Sequence, residues 1–165
     1  MAIRNILTKE DPSLYRASRP VTEFNERLHT LLDDMKETLA ESGGVGLAAP
    51  QVGVLRRAVI VLETNVDEGE EEYPIELINP EIIEVSGEQN GPEGCLSLPE
   101  EFGLVCRPMN VKVRAQDRYG EWFEVSGTGL TARCFCHEVD HLEGILFTAL
   151  ASKMLTQEEM ESGEY

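Results

Sequence analysis

His137-Glu138-Val139-Asp140-His141 is an HExxH run. On a helix, residues four apart share one face about 6 Å apart, so both imidazoles can bind a single metal ion. Glu138 is rotated about 100° from His137, given 3.6 residues per turn. That places its carboxylate beside the metal rather than on it, suited to act as a base toward metal-bound water. The chain holds only three histidines, and two of them sit in this run. His29 has no second candidate ligand nearby and reads as an ordinary, partly exposed side chain.

A catalytic metal site needs a third protein ligand and an open position. One solution is a downstream glutamate, for which Glu158 and Glu159 lie at a conceivable distance, although in a polar tail. The extended pattern HExxHxxGxxH fails, because Phe147 stands where its third histidine belongs. Cys95 is the strongest upstream candidate: it sits in Glu93-Gly94-Cys95-Leu96-Ser97, a run resembling a strand edge where glycine permits close backbone approach. A thiol beside a divalent metal loses its proton readily, and two imidazoles with one thiolate form an acceptable catalytic set. Cys106, Cys134 and Cys136 form no CxxC pair with it or with each other, so a redox motif or a structural zinc knuckle is not expected. Cys106 matches no motif and reads as a structural thiol, and Cys136 reads as packing.

These residues need rigid carriers. Phe24, Leu28, Leu31, Leu32, Met35 and Leu39 recur at helical spacing and predict an amphipathic helix from about Thr22 to Ser42, capped by Thr22 and ended at Gly43-Gly44. Strands are expected at Ala58–Leu62, Ile75–Ile78, Ile82–Val85, Val111–Ala115 and Trp122–Val125, with a turn at Arg118-Tyr119-Gly120. A second helix, about Thr128 to Leu142, carries the HExxH and stops at Gly144. Helix, strands, then helix predicts an α+β fold: an N-terminal helix, antiparallel or mixed β-sheets, and a central HExxH-bearing helix packed against them. Residues 1–165 read as one domain, with an acidic, fraying tail from about 157.

Three ordered segments resemble one family, the peptide deformylases. They are Gly44-Val45-Gly46-Leu47-Ala48-Ala49-Pro50-Gln51, then Glu93-Gly94-Cys95-Leu96-Ser97, then His137-Glu138-Val139-Asp140-His141-Leu142-Glu143-Gly144. The similarity runs from the first helix to about Leu150. It implies a hydrolase that removes the formyl group from formyl-methionyl nascent chains and releases formate, by metal-bound water or hydroxide attack assisted by a glutamate. By the same resemblance Cys95, His137 and His141 hold one divalent ion, Fe2+ physiologically, with Zn2+ or Ni2+ able to replace it. Glu138 serves as general acid and base, and Gln51 with the Leu96 N–H steadies the formyl oxygen. Val45, Leu130 and Cys134 are candidate walls of an apolar methionine pocket, with Gly46, Glu93 and Gly94 also on the substrate side. Gly44 and Gly46 would let an extended peptide pair with their segment as an added strand. The alternatives are a different HExxH metallopeptidase using a tail glutamate, and an inactive module that only binds metal or peptide. Cys136 departs from the family, where many relatives carry glutamine, and the acidic end replaces the long basic helix of some relatives.

The chain has 165 residues, 14 basic against 31 acidic, for a net charge of −17. That surplus disfavours nucleic acid or an anionic membrane as a partner. Nine of the acids lie in the loop Asp67–Glu72 and the tail Glu158–Glu164, so the surplus by itself does not point to a cationic substrate. No apolar run approaches the roughly 18 residues needed to cross a bilayer, and Met1-Ala2-Ile3-Arg4 opens no signal peptide. A cytoplasmic monomer is expected, whose ribosome association, if transient, has no basic tail to support it.

Overall fold

The first helix begins four residues later than its apolar stripe suggests. Asn25, not Thr22, is the N-cap: its side chain accepts from Leu28 N at 3.2 Å, and α1 runs Glu26–Ser42 before Gly43 turns left-handed at φ 72°. The computed structural model describes residues 2–165; Met1, part of the run read above for a targeting segment, lies outside the described residues. The chain continues through β1 (Gly46–Ala48), a 3-10 turn at Ala49–Val52, β2 (Ala58–Glu63) and β3 (Tyr73–Ser86). Then follow β4 (Gln89–Cys95), β5 (Leu98–Arg107), β6 (Asn110–Gln116), β7 (Trp122–Thr128) and α2 (Leu130–Leu142), and finally β8 (Lys153–Met154) and α3 (Gln157–Ser162).

Two sheets form, one ordered β1-β2-β3-β6-β7 and the other β4-β5-β8, and every strand pair within them is antiparallel. Among the described residues the only parallel pairing is an isolated bridge, Arg19 with Arg56, outside both sheets. The two short strands expected at Ile75–Ile78 and Ile82–Val85 are one long strand, β3. It passes Pro80, which lacks an N–H, by shifting register between Ile78 and Glu81. Asn79 holds that bulge at φ 51°, with its side chain bonded to Val21 N and Val21 O.

The five-stranded sheet is sandwiched. Val59 and Val61 of β2 pack with Val113 and Ala115 against Ala132, Phe135 and Leu142 of α2. Ala58 and Ile60, on the opposite face, meet Leu28, Leu32, Met35 and Leu39 of α1. Burial on both faces is why β2 reads as an unbroken apolar run rather than an alternation. A third cluster, Leu14, Leu98, Val105, Leu146 and Phe147, backs the small sheet. The N-terminal boundary of α2 is Leu130 rather than Thr128, because Gly129 stands at φ 60°. The tail expected to fray is helical over Gln157–Ser162, closed by a reciprocal box in which Thr156 and Glu159 bond each other's backbone N–H. No helix among the described residues is long and apolar enough to cross a membrane.

Candidate active site

The central helix turns His137, Glu138 and His141 into the protein, where all three are buried. Cys95, at the end of β4, approaches from the small sheet. Its Sγ lies 3.3 Å from His141 Nε2, and His141 Nε2 lies 3.2 Å from His137 Nε2. One donor atom from each of the three falls within 4.8 Å of the others. Ligands at about 2.0–2.1 Å around a tetrahedral ion sit about 3.3 Å apart, so these separations suit a shared cation.

The chemistry of the donor set says the same. His137 Nδ1 is 2.6 Å from Glu93 Oε2. Burial would raise the Glu93 carboxyl, but hydrogen bonds from His137 and Arg107 outweigh it and hold the group at about 2. An ionised carboxylate only accepts, so Nδ1 carries the proton and the Nε2 lone pair faces the cluster. The unprotonated Nε2 of His137 thus faces the His141 Nε2 and the Cys95 sulfur beyond it. A divalent ion fits that arrangement.

Glu93 lines the cleft, but its carboxylate is already engaged on both oxygens. Arg107 grips both its oxygens, through Nε at 3.0 Å and Nη2 at 2.7 Å, and Arg133 Nη1 adds a third bond at 2.9 Å. Arg107 Nη1 also reaches Asp140 Oδ2 at 2.7 Å, tying β5 to the ligand-bearing helix. The residue therefore orients His137. Arg107 and Arg133 went unnoticed in the sequence, although Glu93 and Cys95 share one strand face at period two.

Glu138 is the other anomaly. Burial pushes its carboxyl up to about 7, with Glu93 adding to the rise and His137 opposing it. Its Oε1 is buried without a hydrogen-bond partner. Oε2 lies so near β1 that a Cβ on Gly46 would stand 2.5 Å from it. Any larger residue at 46 would therefore have to displace Glu138. Gln51, on the 3-10 turn after β1, is buried; its Oε1 accepts from Ala48 N at 2.9 Å and its Nε2 donates to Ser97 Oγ at 3.1 Å. The same Nε2 lies 3.5 Å from Cys95 Sγ, at the edge of the cluster.

A cleft of about 370 Å³ opens over these groups. Val45, Gly46, Glu93, Gly94, Leu96, Leu130 and Cys134 are among the residues that line it. Gly94 is held to glycine by the Phe102 ring, 2.8 Å from where its Cβ would be. The β5 wall, Leu98 to Phe102, was not foreseen. Burial raises the Cys134 thiol far above its ordinary range and the Cys136 thiol to about 11, so both stay protonated packing groups. Cys106 is exposed, not packed inside. His29 stands apart, with Nε2 2.8 Å from Arg118 O. Glu159 is taken up by Thr156 and by Lys153 Nζ at 2.6 Å, and neither tail glutamate joins the cluster.

A family model described as polypeptide deformylase matches residues 3–157. The chain is 50% identical to the peptide deformylase of Caldicellulosiruptor bescii over 98% of its own length and 93% of that protein. It is 46% identical to peptide deformylase 1 of Bacillus subtilis over 99% of each. The crystal structure of peptide deformylase from Thermotoga maritima superposes with a TM-score of 0.85 at 38% identity, covering 92% of this chain and 99% of that one.

Proposed function

This chain belongs to the polypeptide deformylase family, metallohydrolases that remove the N-terminal formyl group of nascent peptides, and on that premise we propose which of its residues do the work. Cys95, His137 and His141 hold one divalent ion, Fe2+ in the cell with Zn2+ or Ni2+ as substitutes. The observation that carries the reading is their convergence beneath a cleft whose floor has an unpartnered, buried carboxylate oxygen on Glu138. When bound, such an ion supplies a Lewis acid and makes water acidic enough to react near neutral pH.

The protein's own groups do the rest. Glu138 takes a proton from the water that adds to the formyl carbon and passes it to the amine nitrogen as the C–N bond breaks, leaving formate and a free N-terminus. A carboxyl held near 7 can both accept and return that proton at neutral pH. Gln51 Nε2 and the Leu96 N–H bind the formyl oxygen as charge grows on it, the amide held in place by Ala48 and Ser97. Val45, Leu130 and Cys134 receive the methionine side chain. β1 is an edge strand of its sheet, which supports pairing of an extended peptide with Gly44–Gly46.

The test is formate release from a formyl-Met peptide by anaerobically purified protein, with metal content measured on the same sample. A full metal site with no formate would overturn the reading. A metallopeptidase using a tail glutamate loses its support, since Glu159 is engaged elsewhere. Intact Glu138 and Gln51 speak against a module that merely binds. Gly46→Ala is a further check: the added methyl collides with Glu138 and shifts it, so the formate rate should fall by about 10²-fold with the fold retained. Circular dichroism and formate assays together would show that split; an unchanged rate would mean Glu138 needs no such placement.

Three apolar clusters around one cleft support residues 1–165 as one catalytic domain. We take it to act in the cytoplasm as a monomer. Any transient ribosome contact would bypass α3, whose surface is acidic.

A further inference from the structure

We propose that Arg133 gives the methionine pocket a fixed hydrogen-bond donor, so that the enzyme also deformylates peptides that begin with formyl-methionine sulfoxide. The proposal rests on the deformylase reading above and widens its substrate class to oxidised N-termini.

Leu130, Arg133, Cys134 and His137 follow one another at three- and one-residue steps along α2 and share one helix face. All four line the cleft, so Arg133 stands between the two helix residues assigned to the methionine side chain. It is the only lysine or arginine in the cleft wall among the described residues. With 6% of its surface exposed, its guanidinium is largely out of bulk water. Nη1 donates to Glu93 Oε1 at 2.9 Å and to Val105 O at 3.0 Å, which ties the group to β4 and β5. A guanidinium carries five N–H donors in a rigid plane, so two bonds at Nη1 also fix where the others point.

The remaining donors, on Nε and Nη2, have no hydrogen-bond partner among the described residues. The unpartnered polar side-chain atoms that are wholly enclosed are Ser18 Oγ, Glu37 Oε2, Glu138 Oε1 and His141 Nδ1. Neither Arg133 nitrogen is among them, so both keep accessible surface, and the space this buried side chain borders is the cleft. Nη2 lies beside β4: a Cβ on Gly91 would stand 3.6 Å from it, just before Pro92, Glu93 and Gly94 of the cleft wall. A thioether sulfur is a weak acceptor, and methionine asks little of such a donor. Oxidation to the sulfoxide adds a polar oxygen to the same side chain. In a wholly apolar pocket that oxygen would lose its water without replacement, a penalty of roughly 5- to 150-fold. Arg133 replaces the water with a charge-assisted hydrogen bond. The reaction itself is unchanged. Water adds to the formyl carbon, the C–N bond breaks, and formate leaves a free amine while the sulfoxide stays intact.

The measurement is kcat/KM for amidated formyl-Met-Ala-Ala, its methionine sulfoxide form, and its norleucine analogue, which has no sulfur. The sulfoxide peptide should stay within about 10-fold of the norleucine peptide, and a larger deficit overturns the proposal. Arg133→Leu should lower the sulfoxide-to-norleucine ratio by about 10-fold, and Arg133→Lys, which keeps a donor, should lower it less. Because Arg133 also braces Glu93, both variants should slow all three peptides, and the ratio isolates the donor. A ratio unchanged in Arg133→Leu overturns the proposal. If the variants do not fold, the two sulfoxide epimers decide on the native protein. They place the oxygen on opposite sides of the sulfur, so a fixed donor should favour one of them, and equal rates overturn it. Formate from formyl-Met-Ala-Ala with the sulfoxide peptide far behind defeats only this inference, whereas no formate from any of the three defeats the deformylase reading itself.

Discussion

Glu138→Ala is expected to bind one divalent ion per chain as the native protein does, and to release formate about 10²- to 10⁴-fold more slowly. The two halves have separate causes. The donor atoms that converge belong to Cys95, His137 and His141, and the glutamate is not among them, so its loss leaves the ion's ligands in place. What disappears is the group that shuttles the proton between water and amine. The same substitution should raise the melting temperature. Glu138 is a buried carboxyl with one oxygen unpartnered, raised to about 7 chiefly by burial, and such a group opposes folding rather than favouring it. Metal analysis, formate kinetics and thermal melts on one preparation read all three quantities. Loss of metal in the variant would show that Glu138 is a ligand and that its assigned role is wrong.

How much of this was visible beforehand varies with the kind of signal. His137, Glu138 and His141 were legible because a helix fixes the relation of residues four apart, and the structure keeps all three on α2. Cys95 lies on another element, and no local period links it to the histidines. Scarcity of alternatives and the motif resemblance pointed to it. The β4–β5 hairpin was largely invisible as strand. Its sequence, Gln89-Asn90-Gly91-Pro92-Glu93-Gly94-Cys95, carries glycine, proline and amides rather than β-branched residues, because tertiary packing, not propensity, shapes it. Glu93 was placed beside the substrate because a carboxylate in a motif fits several roles. Glu93 does line the cleft, and the approach of Arg107 from β5 and Arg133 from α2 adds that its carboxylate is held against His137. The helical tail was missed for a different reason. Thr156 and Glu159 form a capping box three residues apart, a local pattern that the acidic composition obscured.

Cys95→Ala should abolish stable metal binding, and the contrast with two other substitutions gives the result its meaning. Removing the thiol leaves two imidazole nitrogens 3.2 Å apart as the only inward-facing donors of the cluster. Loss of an outer partner such as the carboxylate on His137 typically costs 10- to 100-fold in metal affinity, so loss of a direct ligand should exceed about 100-fold. Glu93→Gln therefore belongs between the extremes. Its amide can still accept from His137 Nδ1, but it no longer balances Arg107 and Arg133, and about 10-fold weaker binding is expected. Glu159→Ala should leave affinity unchanged, because that side chain serves Thr156 and Lys153 far from any donor of the cluster. Competition with a chelator, read by metal content, ranks the three. The order Cys95, then Glu93, then Glu159 follows from a ligand on β4, a carboxylate behind His137, and a helix cap. An equal loss in Glu159→Ala would return the third ligand to the tail, and an unaffected Cys95→Ala would remove the thiol from the site altogether.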